Sequence, residues 1–363
     1  MFKAAKTVDF LFLTYYTDGS KQRKRLSSLI RLYFPLYLSR RSVSFSALRT
    51  ERPINFLCRR RAAEWMIVME KFDSLIIGEV AQDTNVDFDG TVVQAVGGAV
   101  YYSGCAAANM GHKIAVLPKA DLSQLDVTAA FHEKAPSISV FPLNSPHSFV
   151  TKNVYHTADR ERRTSTVDSL IAPYTTDEVP VDQIDAAIWH LAGLAGGDIP
   201  NEMIPFAAKH AMVAIDVQTM LRWVENGGMV YHDWKEKKEL LPYIRFLKTD
   251  AAEAEILTGL TDRAEAAKVL YGWGAKEILI THNTEVLVYD GHEIYTCPIK
   301  ARNLSGRTGR GDTTFAGYIN ERLTKDIPTA LQTATALVSL KMETPGPFTS
   351  TRQDVEDYIK LMY

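Results

Sequence analysis

Cysteine is scarce in this chain: there are three, Cys58, Cys105 and Cys297, in 363 residues, an odd number with no metal-type spacing. That rules out a disulfide scaffold, and free thiols in a reducing cytoplasm are the expected state. No apolar run approaches the ~18 residues needed to cross a bilayer. No segment orders positive charge, apolar core and small-residue cleavage site as a secretory signal does, so the sequon Asn303-Leu304-Ser305 is expected to stay idle. The net charge is only −2, leaving no global positive excess to attract nucleic acid. The two commonest nucleotide fingerprints are also missing: there is no Gly-x-x-x-x-Gly-Lys-Ser/Thr loop, and no Gly-x-Gly-x-x-Gly follows a strand-like run. Internal repeats and low-complexity tracts are absent as well.

With 46% hydrophobic and 23% charged residues, the composition is that of a soluble globular chain, long enough for one large domain plus an extension. The near-neutral total hides a break. Residues 1–68 carry 14 Lys+Arg against 4 Asp+Glu, whereas residues 69–363 carry 27 against 39. The basic piece includes Lys21-Gln22-Arg23-Lys24-Arg25 and Arg59-Arg60-Arg61. Three readings fit such a piece: a transit peptide, a patch that binds an acidic surface, or translation from a start upstream of the one used. The last is preferred, because the periodic pattern opens directly at Met69-Glu70-Lys71-Phe72. On that reading residues 1–68 form a disordered basic extension that buries too little surface to offset chain entropy, and 69–363 form the domain.

From Phe72 onward, short apolar runs alternate with helical stretches. Leu75-Ile76-Ile77-Gly78, Ile114 to Leu117, Ala186 to Trp189, Met212 to Ile215, Ile244 to Leu247, Glu277 to Ile280 and Val286 to Tyr289 read as strands. Asp83 to Val96 alternates around Asp87-Phe88-Asp89-Gly90, a hairpin, and Gly97-Gly98 opens a helix running to about Met110. Ser137 to Phe141, Ser148 to Tyr155 and Arg163 to Val167 read as extended, partly polar strands. The pattern predicts an α/β fold with a mostly parallel sheet covered on both faces. Ligands of such sheets bind beyond the carboxyl ends of the strands.

The segment that carries chemistry is Ser305-Gly306-Arg307-Thr308-Gly309-Arg310-Gly311-Asp312-Thr313, followed by a helical pattern through Leu323. A glycine-rich turn feeding a helix N-terminus offers free N–H groups and a favourable dipole to an anion. A carboxylate there repels that anion unless it serves the chemistry, so Asp312 is either a plain N-cap or a catalytic base. Likewise Asp250 and Glu253 in Lys248-Thr249-Asp250-Ala251-Ala252-Glu253 form a capping-box pattern and also offer hard oxygen atoms to a cation.

Thr308-Gly309-Arg310-Gly311-Asp312 resembles the Thr-Gly-Ala-Gly-Asp signature of the ribokinase-like, PfkB-type carbohydrate kinases, with Arg310 in place of Ala. The resemblance spans about residues 72–350. It implies a ribokinase-like fold with a small β lid, Asp312 as general base, and an anion hole at Gly309, Arg310 and Gly311. Asp250-x-x-Glu253 resembles the family's Asn-x-x-Glu motif, which implies magnesium at Glu253 and Asp250. For the acceptor, the resemblance implies Asp83, which ends the first strand segment, the glycine pair Gly97-Gly98, and Asn153 in Thr151-Lys152-Asn153-Val154-Tyr155. It implies nucleotide contact at Thr281, Asn283 and Thr308, although Asn283 and Val286 replace two family glycines. Lys341 to Phe348 stands where the family has its purine-side loop. The expected activity is an ATP- and magnesium-dependent kinase for a hydroxyl of a small sugar, polyol or related metabolite, in the cytoplasm, possible as a homodimer, with neither nucleic acid nor membrane as partner. The alternatives are a nucleoside kinase and a non-catalytic metabolite-binding protein of the same fold.

The charge break generates the first prediction: a chain started at Met69 folds and keeps its activity. An insoluble or inactive product would show that the basic extension contributes to the domain.

Overall fold

A computed structural model describes residues 70–157 and 163–363; the expectation for residues 1–68 lies outside them. Two sheets organise the chain. The large one has ten strands among the described residues: β1 (Glu70–Glu79), β4 (Ile114–Ala120), β5 (Ser139–Val140), β6 (Leu143–Asn144), β9 (Ile184–Leu191), β10 (Met212–Asp216), β13 (Ile244–Asp250), β14 (Glu277–Thr281), β15 (Glu285–Tyr289) and β16 (Ile294–Pro298). Their order is β16-β15-β14-β13-β10-β9-β1-β4-β5, with β6 also on β4. Pairing is parallel from β14 through to β5 and β6, and turns antiparallel in the β14-β15-β16 meander.

Side chains of the central strands alternate between the two faces, as a period of two requires. Leu75, Ile77, Trp189, Val213, Ile215, Leu247, Ile278 and Ile280 enter one core, with the one-turn helix Met203–Ala207 and residues of Ala251–Thr258 and Arg263–Gly272. Ile76 belongs to the opposite face with Val100, Cys105 and Ala316; Ile188, Ala214, Phe246 and Leu279 join Phe315, Tyr318 and Ile319 there. The long helices in chain order are α1 (Ala99–Asn109), α2 (Val127–Lys134), α3 (Ala251–Thr258), α4 (Arg263–Gly272), α5 (Arg310–Glu321), α6 (Ile327–Lys341) and α7 (Arg352–Met362). The expected α/β architecture, a mostly parallel sheet clothed on both faces, is the one observed.

The smaller sheet has the order β11-β12-β8-β7-β2-β3, from β2 (Ala81–Val86), β3 (Val92–Gly97), β7 (Phe149–Tyr155), β8 (Arg163–Ser169), β11 (Arg222–Glu225) and β12 (Gly228–Tyr231). It rises from the carboxyl end of β1, since β2 follows Glu79 after one residue. Its last hairpin was legible but not read from the sequence. Asn226-Gly227, with φ of 51° and 75°, is the left-handed pair that a two-residue hairpin turn demands. One expected strand shrinks: Ser137 to Phe141 is reduced to the two residues of β5. Pro136 and Pro142 flank it, and proline cannot donate to a ladder. Trp234, inside an acidic and basic run expected to be solvated, is buried and donates from Nε1 to Asn201 Oδ1 at 3.1 Å.

α5 is fixed to the sheet by a polar tie across the core. The Ser74 hydroxyl of β1 donates to Asn320 Oδ1 at 2.7 Å, and Asn320 Nδ2 donates to Ala316 O at 2.9 Å; both residues are fully buried. Ser74→Ala would leave that amide oxygen without its donor. We expect it to cost about 1–3 kcal/mol in denaturant unfolding. A loss below about 0.5 kcal/mol would show that the tie does not hold α5 in place.

Candidate active site

The carboxyl ends of β1, β9, β10, β13 and β14 face a cleft of about 450 Å³ whose other wall is the small sheet. Ala81, Asp83, Phe149, Thr151, Asn153, Tyr155 and Ser165 line it on the lid side. Lys248, Asp250, Thr281, Asn283 and Leu304 through Asp312, except Gly306, line it on the other. The sequence therefore folds its predicted acceptor and phosphate residues into one cavity, with Gly98, Tyr102, Gln218 and Arg222 between them.

At the lid, Asp83 Oδ1 accepts from the Thr151 hydroxyl at 2.6 Å, and Asn153 Nδ2 donates to Asn85 Oδ1 at 3.2 Å while its Oδ1 accepts from Ser165 at 2.7 Å. β2 and β7 pair in parallel with Asp83 opposite Thr151 and Asn85 opposite Asn153, which sets these polar groups on one surface. Arg162, expected to accompany them, lies outside the described residues, as does the side chain of Arg163. Both glycines of the pair are sterically required. A Cβ on Gly97 would come within 2.3 Å of Asp83 Oδ2; Gly98 has φ of 104°, and its Cβ would meet Glu79 O at 2.5 Å.

The anion-binding turn begins with Gly309 in the left-handed region, φ 75°, as the N-cap of α5. A side chain there would collide with the Tyr102 ring at 2.2 Å. The helix starts at Arg310, so Asp312 is its third residue. The plain N-cap reading of Asp312 is thereby excluded, because Gly309 holds the cap. The first helical amides have no carbonyl one turn earlier within the helix. Of these, Arg310 N–H turns back to Arg307 O at 3.3 Å, and Thr313 N–H closes on Gly309 O at 2.9 Å. Behind the turn stands Lys341, 2% exposed at the end of α6. Its ammonium donates to Gly306 O at 2.7 Å and to Thr308 O. Burial pushes its pKa down to about 8, against the pull of the Asp312 charge. The Arg310 guanidinium donates from Nη2 to Asn283 Oδ1 at 2.6 Å, spanning the mouth of the cavity.

Asp312 is half-buried, and the desolvation of its carboxyl pushes its pKa above the ordinary aspartate value, opposed by the charges of Lys248, Arg222 and Lys341. Lys248 is the organising cation. Its Nζ lies 2.8 Å from Asp216 Oδ2 and 3.7 Å from Glu253 Oε2, with 5% of the side chain exposed. Burial alone would lower its pKa. Asp216, Glu253, Asp250 and Asp312 outweigh that and hold it charged.

The Asp250–Glu253 pair forms a full capping box on α3: Glu253 N–H donates to Asp250 Oδ1 at 2.8 Å, and Asp250 N–H to Glu253 Oε2 at 2.9 Å. Glu253 is 1% exposed, and its Oε1 accepts from Arg222 at 3.2 Å. Burial would raise its pKa, yet Lys248 and Arg222 hold it low and ionised. Both its oxygens face protein donors, and it is not among the cavity's lining residues; Asp250 is. No group of three or more His, Cys, Asp or Glu able to cage a metal occurs among the described residues. The donor set thus fits magnesium held chiefly by substrate phosphates and water beside Asp250, rather than a site built around Glu253.

The segment after β14 also differs from the expected glycine-bearing loop. Val286 pairs directly with Thr281 in the antiparallel register and is fully buried, so the chain turns within four residues. Among the described residues Asn226 is the one non-glycine with positive φ, so Asn283 is not left-handed. Sequence reading assigned no role to Lys248, Arg222, Asp216, Tyr102 or Lys341. Lys248 had a signal: a cation that follows Phe246-Leu247 directly on a core strand needs a buried partner.

Comparison with known proteins agrees with this geometry. Residues 148–354, more than half of the chain, match the model of the pfkB family carbohydrate kinases. A pyrophosphate-dependent kinase of the ribokinase family, solved with a pyrophosphate analogue and myo-inositol, is 31% identical with a TM-score of 0.71, over 78% of this chain and 99% of that one. A sulfate complex of a pyrophosphate-dependent kinase in the ribokinase family is 33% identical with TM-score 0.71 and the same coverage. A cytidine kinase from Thermococcus kodakarensis is 24% identical over 266 residues, 68% of this chain and 87% of its own. With its signature turn, its lidded cleft and these matches, the chain belongs to the pfkB family of carbohydrate kinases.

Proposed function

We propose that this protein transfers the terminal phosphoryl group of a polyphosphate donor to a hydroxyl of a small polyol or sugar. The observation that carries the reading is the position of Asp312: a half-buried carboxylate in the first turn of α5, lining the same cavity as a hydroxyl-matched lid and a cation-rich turn. Asp83, Thr151 and Asn153 orient the acceptor, since a carboxylate and an amide together match a ring of hydroxyls. Asp312 takes the proton as the acceptor oxygen attacks phosphorus in line and the bond to the leaving phosphate breaks. With the Arg310 N–H turned back to Arg307 O, the N–H groups of Gly309 and Gly311 and the Lys248 ammonium are the donors offered to the charge that develops. Asp250, which lines the cavity, is the residue that would hold magnesium bound with the donor, and the ion would supply neutralisation of phosphate charge.

Cyclic polyols are the favoured acceptors, because solved relatives at 30–31% identity are described with myo-inositol as ligand or substrate. A nucleoside acceptor is the second reading, favoured by the cytidine kinase relative and by Tyr102, Phe149 and Tyr155 in the cavity wall. A purely metabolite-sensing protein has no use for a base beside an anion turn. A panel of myo-inositol, other polyols, ribose, fructose and cytidine, assayed for phosphoester formation, separates these readings.

Three outcomes follow from the geometry. Asp312→Asn keeps the fold, because Gly309 caps the helix, but lowers turnover roughly 10²–10⁴-fold; turnover within a few-fold of the parent would remove Asp312 as base. Asp83→Ala raises the acceptor's Michaelis constant far more than the donor's, by the loss of about 1.5–3 kcal/mol per charged hydrogen bond; equal weakening of both would place Asp83 elsewhere. Lys341→Met leaves the Gly306 and Thr308 carbonyls without their donor and slackens the turn. A displacement of about 1 Å at the anion site can cost on the order of 100-fold in rate, so kcat should fall steeply while the acceptor's Michaelis constant holds. An unchanged kcat would show that the turn keeps its shape unaided.

A further inference from the structure

The family resemblance leaves the phosphoryl donor as ATP, with a purine expected against Lys341 to Phe348. The structure ties that segment to the chain before the turn. Gly306 N–H donates to Met342 O at 2.7 Å and the Ser305 hydroxyl to Glu343 O at 2.7 Å, stitching the segment before the anion turn onto the end of α6. The approach is so close that a Cβ on Gly306 would lie 1.8 Å from Thr344 O. Arg302 Nε donates to both oxygens of Glu343, at 2.8 and 3.0 Å. From α7, the Tyr358 hydroxyl donates to Lys300 O at 2.7 Å or Glu343 Oε1 at 2.8 Å. Lys300 N–H donates to Ser339 Oγ at 3.0 Å. None of the residues from Lys341 to Phe348 lines the cleft.

The donor end of the cavity has the wrong chemistry for a base as well. Its lining there is Lys248, Arg307 and Arg310, the polar groups of Thr281, Asn283 and Ser305, and the glycine turn; Leu304 is its single large apolar side chain, and it is half exposed. Of the cavity's aromatic residues, Phe149 and Tyr155 lie with the acceptor groups, and the Tyr102 ring is buried, packed against Gly309 with the Lys341 ammonium 5.2 Å from its centroid. A nucleobase needs an apolar or stacking slot with a few fixed polar partners. Three cations around a backbone turn instead recognise oxyanions wherever they carry charge.

From the stitched segments and this lining we infer that the donor is a base-free polyphosphate, inorganic pyrophosphate in its simplest form. The inference rests on the phosphotransferase reading above. In the step, the acceptor oxygen forms a bond to one phosphorus of pyrophosphate. The bridging P–O bond breaks, orthophosphate leaves with the bridging oxygen, and the acceptor proton passes to Asp312. The products are a phosphomonoester and orthophosphate.

Two measurements on the full chain test this separately from the kinase reading. In the first, the acceptor panel is run with magnesium and either pyrophosphate or ATP. We expect kcat/KM for pyrophosphate to exceed that for ATP at least 100-fold; comparable or better use of ATP would overturn the inference while leaving the kinase reading intact. In the second, binding of imidodiphosphate and of the non-hydrolysable ATP analogue AMP-PNP is measured by calorimetry without acceptor. Imidodiphosphate should bind at least tenfold more tightly. This comparison decides the donor even if no acceptor in the panel turns over, a failure that would count against the phosphotransferase reading alone. Equal or tighter binding of AMP-PNP would refute the base-free donor.

Discussion

One buried ammonium holds the catalytic end of this protein together. Lys248 closes β13 where Asp216 ends β10, Glu253 lies in the first turn of α3 and Asp312 in the first turn of α5. Carboxylates brought this close out of water repel each other and lose hydration, a cost of several kcal/mol per charge unless a partner is near. Lys248 and Arg222 are those partners, and through them the ends of β10 and β13 and the first turns of α3 and α5 share one charge cluster. The same crowding explains Gly311: a Cβ there would sit 3.3 Å from Lys248 Nζ, pressing the helix start away from the cation it faces.

The acceptor side is held by a second buried polar group, at the end of β1. Glu79 Oε1 accepts from Leu194 N–H at 2.6 Å, and Asp198 Oδ2 accepts from Ala195 N–H at 2.8 Å, which fixes the loop that follows β9 and supplies Leu194 to the cleft. Burial pushes the pKa of Glu79 well up, and the neighbouring Asp198 charge adds to it. Lid and floor therefore start from the same strand end: Glu79 anchors the floor, and four residues later Asp83 stands in the lid. That continuity places Asp83 in the same cavity as a glycine-rich turn more than 200 residues further along the chain.

Much of this was legible in the sequence where a local rule is strict. The apolar strands show up because a sheet covered on both faces leaves them almost no polar positions, and the turn at Gly309 shows up because a left-handed cap needs glycine. The Asp250–Glu253 box was legible as a cap, and the cap is what the structure shows most plainly. What escaped was set by long-range packing. Lys341 gives no local sign that it will donate to carbonyls 33 and 35 positions earlier, and Arg222 none that it will pair with Glu253. The hairpin at Asn226-Gly227 was a different kind of miss, since its turn residues stood in plain view between alternating side chains. Position 312 shows why residue type alone misleads: aspartate is a good N-cap, but the helix begins at Arg310, two residues before it.

The central claim is that the half-buried carboxylate of Asp312, facing the charge of Lys248 and raised in pKa by desolvation, takes the acceptor's proton. The pH dependence of kcat/KM tests it most directly. Asp312 must be ionised to act, and its pKa lies above the ordinary aspartate range near 3.9. Activity should therefore be full at neutral pH and lost as pH falls through that raised value, with an acid limb that disappears from the residual activity of Asp312→Asn. A profile flat down to about pH 4, or an acid limb that persists unchanged in Asp312→Asn, would contradict the account.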